Sequence, residues 1–252
     1  LATAGPGQIL PPSAQKRLLA KALSDGQARR PPGTQTAAAN AIAQVKSSPY
    51  VLKNIEARIR FMAKVAIILT QGFADWEYAL IAGAGGPFYG LDVQYFSPQT
   101  GQIASQGGLA ALVSQDLDML SSWSADVVVV VGGTIWETDN APDIGKLLKT
   151  LHAGGACIAG ICGGTLALAR AGLLNDVAHT SNDADFLKQN AAGYTGDAHY
   201  QSSASAISAG RVITAAGTAP VGFTAAVFAA SALPKETVSQ FKGIMAAEHA
   251  KA

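Results

Sequence analysis

Cysteine is scarce in this 252-residue chain: Cys157 and Cys162 are the only two. Two thiols make no disulfide framework, and on one extended strand they stand about 16 Å apart, beyond bridging distance. Both are read as reduced, which fits a cytoplasmic setting. Charged residues are also few, at 14%. No apolar run approaches the ~20 residues that cross a bilayer, so no membrane partner is expected. His, Cys, Asp and Glu never cluster at metal-ligand spacing, and no metal is expected. A phosphate-loop lysine motif is missing. Gly83-Ala84-Gly85-Gly86 follows a predicted helix instead of opening one, so the dinucleotide fingerprint lacks its context and no cofactor is expected.

Acidic residues are nearly absent from one part of the chain. Residues 1–61 carry nine Lys/Arg against Asp25 and Glu56, whereas residues 62–252 carry nine against fifteen acids. The first part is rich in Ala, Gln, Pro and Gly, has Pro11-Pro12 and Pro31-Pro32 as breakers, and contains no Cys, Trp or Met. Partial disorder is the default for such a composition. A targeting leader, a basic arm for acidic surfaces, and a segment foreign to the natural protein are the alternatives. Met62, the first methionine, directly precedes the first strong strand. The expected division is therefore a 1–61 leader or upstream translation and a 62–252 domain. The acidic balance and scattered lysines of that domain do not suggest nucleic-acid binding.

Beyond Met62 the pattern becomes regular. Val65-Ala66-Ile67-Ile68-Leu69 reads as a strand buried on both faces. An acidic helix start at Asp75-Trp76-Glu77 follows, with a break expected at Gly85-Gly86-Pro87. Further strands are expected at 91–96, 126–131, 156–161, 177–180 and 212–215, and a hairpin or irregular strand pair at 102–113. Helices are expected near 143–151, 183–190, 221–232 and 235–250. Strands alternating with helices predict a doubly wound α/β sandwich, with its site at the carboxyl ends of the strands.

Gly160-Ile161-Cys162-Gly163-Gly164 joins a buried strand to a helix in the layout of a nucleophile elbow. There the helix N-terminus favours a thiolate, and the next backbone N–H can hold an oxyanion. A buried structural cysteine is the plainer reading. Glu77 can reach the thiol over the sheet edge and would stay protonated beside a thiolate; otherwise it is a first-turn acid answering the helix dipole. Gly132-Gly133 can bring a second backbone N–H to join that of Gly163; an ordinary strand-to-loop turn is the plainer reading. Of the four histidines, His179 is the best candidate base, with Asn182 or Asp183 to orient it; a solvent-facing or helix-capping role for His179-Thr180-Ser181-Asn182 is the alternative.

These residues lie in motifs that resemble the ThiJ/PfpI family of the class I glutamine amidotransferase-like superfamily. They are Gly72-Phe73-Ala74-Asp75-Trp76-Glu77, Val128-Val129-Val130-Val131-Gly132-Gly133, Gly160-Ile161-Cys162-Gly163-Gly164-Thr165, Ala169-Arg170-Ala171-Gly172-Leu173-Leu174-Asn175 and Val212-Ile213-Thr214-Ala215-Ala216-Gly217. The resemblance implies a flavodoxin-like sandwich, a homodimer, Cys162 as reactive cysteine, Glu77 as the acid beside it, and Gly133 and Gly163 as oxyanion donors. It departs from the family in four places, the first being Gly222 of Pro220-Val221-Gly222-Phe223, where similar sequences carry glutamate. Gly163 stands where protease-type members carry histidine. No late His-x-Glu pair of true glutaminases is present. The order Ala178-His179-Thr180 replaces Thr-Thr-His, a shift that turns a strand side chain to the opposite face. The leading expectation is a cysteine-dependent enzyme acting on a small-molecule substrate, such as a glyoxal, an isonitrile, an amide or an ester. A redox or stress protein with an oxidisable Cys162, and an interaction protein with a vestigial pocket, are the alternatives.

Overall fold

The computed structural model describes residues 62–249. The expectations for a leader at 1–61 lie outside the described residues. The described chain runs β1 (Lys64–Ile68), α1 (Asp75–Tyr89), β2 (Asp92–Phe96), β3 (Gly101–Ala104), β4 (Ala110–Val113), α2 (Leu117–Trp123) and β5 (Val127–Val130). It continues with α3 (Gly145–Ala153), β6 (Cys157–Ile161), α4 (Gly164–Arg170), α5 (Ala184–Asn190), β7 (Ile207–Ala209), β8 (Val212–Ala215), α6 (Pro220–Ala230) and α7 (Lys235–Ala246). Six strands form one sheet in the order β2-β1-β5-β6-β8-β7, and β3 and β4 pair separately. All pairings of the large sheet are parallel except β7 with β8. Gly210 and Arg211 join that hairpin with φ of 58° and 60°, the paired left-handed geometry that matches strand twist.

The apolar strands are apolar throughout because helices cover both faces. Val65, Ile67, Val127, Val129, Ala159 and Ile161 point to one side, against Ile81 of α1, Phe223 and Phe228 of α6 and Phe241 of α7. Ala66, Ile68, Val128, Val130 and Ile158 point to the other, against Leu120 of α2, Leu148 of α3, Leu166 and Leu168 of α4 and Trp136. The alternation follows the two-residue repeat of a strand. This is the flavodoxin-like doubly wound sandwich that the sequence predicts.

Two expectations need correction. First, α1 does not break at Gly85-Gly86-Pro87; it continues to Tyr89, with Pro87 inside it. Gly85 lies against Val93, Leu91 and Phe228, so the glycine serves close packing of α1 on β2 and α6. The stop falls at Gly90, left-handed at φ 70°, whose N–H reaches back to Gly86 O. Second, residues 177–180 form no strand of the sheet. The place beside β6 is taken by the wholly buried β8, and His179 makes only an isolated bridge to Tyr200.

Candidate active site

The chain reverses its course between β1 and its two neighbours: β2 lies on one side and β5 on the other. Such a switch point opens a crevice at the carboxyl ends of the strands. Four segments leave that edge close together: Thr70–Glu77 after β1, Gly132-Gly133 after β5, Cys162 after β6, and Ala216-Gly217 after β8.

Cys162 has φ 53°, a left-handed backbone that costs a non-glycine residue about 1–3 kcal/mol. Its surroundings hold it there. The Cys162 N–H donates to Ala215 O at 3.0 Å, and its carbonyl accepts the Thr165 N–H at 3.1 Å. The Thr165 hydroxyl donates to the same carbonyl at 2.6 Å and is itself 2.6 Å from Ser181 Oγ, which leaves Ser181 as the donor in that second bond. The strained corner is thus locked from β8, from the first turn of α4 and from the segment before α5.

Glu77 is fully buried beside the thiol. Its Oε2 accepts the Gly132 N–H at 2.6 Å, while Oε1 has no hydrogen-bond partner. Burial pushes the Glu77 carboxyl up to about 7, against the downward pull of the Gly132 bond and of the thiol. Burial likewise pushes the Cys162 thiol up, to about 11, and the Glu77 charge adds to the rise; the amide of Asn182 and the N–H of Gly163 pull it down. The sequence-based expectation of an acidified thiol is therefore reversed. Desolvation and a carboxylate neighbour outweigh the donors at the elbow. The two groups titrate as a pair, which holds one proton, on sulfur or on Oε1, between about pH 7 and about pH 11.

Gly217 closes the site from the β8 side. Its N–H donates to Asn182 Oδ1 at 3.0 Å and its carbonyl accepts the Trp76 indole N–H at 2.9 Å. A Cβ at this position would stand 3.0 Å from Cys162 Sγ and 3.3 Å from Glu77 Oε1, so only glycine lets the backbone cover both. The Asn182 amide completes the link, with Nδ2 donating to Cys162 Sγ at 3.3 Å.

The structure therefore brings together Cys162, Glu77, Gly163 and the Gly132-Gly133 turn, with the backbone of Gly133 packed against Gly163. It does not bring His179. That ring is buried, with Nδ1 2.7 Å from Val177 O and Nε2 2.6 Å from Tyr194 Oη. Since the carbonyl can only accept, Nδ1 carries the proton and Nε2 accepts from the tyrosine hydroxyl. Burial lowers the His179 pKa and raises that of Tyr194 to about 12, in keeping with a neutral pair. The base expected at His179 is thus corrected to a satisfied core histidine. Asn182 is the partner that the sequence reading did not place on the sulfur. Its nearness to the His-Thr-Ser run was visible, but an amide carries no titration signature to single it out.

Among the described residues, no three His, Cys, Asp or Glu side chains converge as metal ligands, and no helix is long and apolar enough to cross a membrane. A cavity of about 420 Å³ lies at the other end of β6, lined by Cys157 and Arg211. Burial pushes the Cys157 thiol up to about 11, against the downward pull of the Arg211 charge.

A sequence model of the DJ-1/PfpI family matches residues 63–230. YoaZ of Bacillus subtilis, described as an uncharacterized protease, is 33% identical over 171 residues, covering 65% of this chain and 81% of its own. A DJ-1 superfamily protein from Agrobacterium tumefaciens is 37% identical, with a TM-score of 0.70 over 75% of this chain and 100% of that one. A thiJ/pfpI family protein from Bacillus anthracis is 28% identical, with a TM-score of 0.66 over 72% and 89%.

Proposed function

Because this chain belongs to the DJ-1/PfpI (ThiJ/PfpI) family of the glutamine amidotransferase-like superfamily, we propose that it is an enzyme in which Cys162 adds to the electrophilic carbon of a small substrate. The observation that carries this reading is the buried Glu77 Oε1, unpartnered and set against a thiol on a strained elbow. With the shared proton on Oε1, the sulfur is a thiolate. Sγ forms a bond to an aldehyde carbon, the carbonyl π pair moves to oxygen, and the N–H groups of Gly163 and Gly133 hold the developing anion. The proton then passes from Oε1 to that oxygen, leaving a neutral hemithioacetal and the Glu77 carboxylate. One proton suffices, and between about pH 7 and about pH 11 one proton is what the pair holds.

Peptide hydrolysis would also need a group to activate water and another to protonate the departing amine. Both nitrogens of His179, the base that the sequence suggested, are engaged elsewhere. This favours a reactive aldehyde of the glyoxal class over a peptide, although YoaZ carries a protease description. The family resemblance also supports a homodimer, which sedimentation velocity can check. The donors from Asn182 and Gly163 favour one second reading, oxidation of Cys162 by peroxide to a sulfinate whose oxygens those N–H groups would hold.

The test is methylglyoxal turnover by wild type and Cys162→Ser. The serine variant is expected to lose activity to background while its melting temperature stays put. Retained turnover would remove Cys162 as nucleophile. An inactive wild type that instead gains two oxygens on Cys162 under dilute peroxide would favour the redox reading.

A further inference from the structure

We propose that Asn182 is a catalytic residue, the side-chain N–H donor to the Cys162 sulfur, held in that orientation by the Gly217 peptide. The inference rests on the nucleophile reading above and supplies the group that stands at the thiol in place of a titratable base.

An asparagine amide can face either way, and the choice here is fixed by chemistry. The Gly217 N–H can only donate, so the atom 3.0 Å from it must be the amide oxygen. That places Nδ2, with its hydrogens, 3.3 Å from Sγ. The next peptide is tied as well, since the Gly217 carbonyl accepts the Trp76 indole N–H at 2.9 Å.

Holding the local chain does not require this amide. Ser181 is tied to Thr165, the Thr180 N–H donates to Thr214 Oγ1 at 2.8 Å, and the Gln201 N–H donates to His179 O at 2.8 Å. The Asp183 carboxylate caps α5 by accepting the Phe186 N–H at 2.7 Å. What Asn182 adds is a positive dipole end on the sulfur.

The groups around Cys162 leave few others to set its charge. From α1 comes Glu77, and from the end of β5 come only the backbones of Gly132 and Gly133. The end of β8 contributes the Gly217 backbone. The segment before α5 contributes Asn182, while His179 and Asp183 are bonded elsewhere. Cys157 is at the opposite end of β6. Among the described residues, Glu77 is thus the titratable side chain against the sulfur and Asn182 the neutral donor. The amide favours thiolate without taking up a proton of its own, so thiol reactivity follows the Cys162–Glu77 proton alone.

Asn182→Asp is a near-isosteric test. It keeps an oxygen for the Gly217 N–H and replaces the donor on sulfur with a carboxylate oxygen. Asn182→Ala removes both contacts. In a Cys157→Ala background, thiolate ultraviolet absorbance is followed against pH, together with the rate of iodoacetamide alkylation. The Asp variant is expected to move the thiol inflection up by about one pH unit or more, and to slow alkylation near pH 8 about tenfold. The Ala variant is expected to slow it by roughly threefold.

An Asp variant with the wild-type inflection would overturn the assignment, whatever the Ala variant does, because the amide would then act only by anchoring Gly217. Should the Asp variant not fold, a wild-type inflection in the Ala variant has the same force. Absorbance needs no substrate, so the result stands apart from the methylglyoxal test: loss of that activity reading leaves the inflection to be judged alone.

Discussion

A carboxyl group that must ionise inside a protein works against the fold. The buried Glu77, raised to about 7 from an ordinary value near 4.5, binds its proton more tightly in the folded chain than in the unfolded one. Its sign follows from linkage: the contribution to stability is full below about pH 4.5 and is lost as pH climbs to about 7. The shift corresponds to roughly 3 kcal/mol as an upper figure. Glu77→Gln keeps an oxygen for the Gly132 N–H and never ionises. Urea denaturation is expected to show the wild type losing stability relative to this variant between about pH 4.5 and pH 7. Parallel curves would mean that Glu77 titrates normally. Much of this pair was legible in the sequence, because glycines flanking a cysteine at a strand-to-helix switch leave few alternatives to an elbow. The histidine was not legible. Its identity suggested chemistry, but the bonds to Val177 and Tyr194 that silence it come from residues two and fifteen positions away, in segments without regular periodicity.

Among the elements, the long apolar runs of β1, β5 and β6 announced themselves, since four or five consecutive buried residues leave a strand no exposed face. The helix α1 was harder to read, because Gly85-Gly86-Pro87 is turn chemistry when seen alone. Its continuation is explained by what lies against it. Tyr89 at its end meets Phe228 of α6 at 5.0 Å between ring centroids and Phe241 of α7 at 6.4 Å, and Phe228 meets Phe241 at 5.2 Å. Tertiary packing of three aromatic rings overrides the local signal. Phe228→Ala would empty the centre of this group and is expected to destabilise the fold by about 3–5 kcal/mol. Calorimetry checks it: a loss below about 1 kcal/mol would show that the cavity collapses and that α1 does not depend on this contact.

For the whole molecule, the described segment holds a complete six-stranded sheet with helices on both faces and both apolar clusters. Removing residues 1–61 is therefore expected to leave the melting temperature of the remainder within about 2 °C, by differential scanning calorimetry. A fall of about 8 °C or more would make the basic segment part of the cooperative unit. The charge asymmetry of the sequence is what suggests this division.

The run Val127–Val130 is buried on both sides and uniform along its length. Four identical side chains carry no address, and sliding β5 by one place would present valine to valine at nearly every position. What tells the strand where to stop is written at its two ends. Before it, Asp126 Oδ2 accepts the Lys64 N–H at 2.8 Å; after it, the Gly132 N–H meets Glu77 at 2.6 Å. The carboxyl beside the thiol is also a punctuation mark, and the candidate site helps spell the fold that builds it.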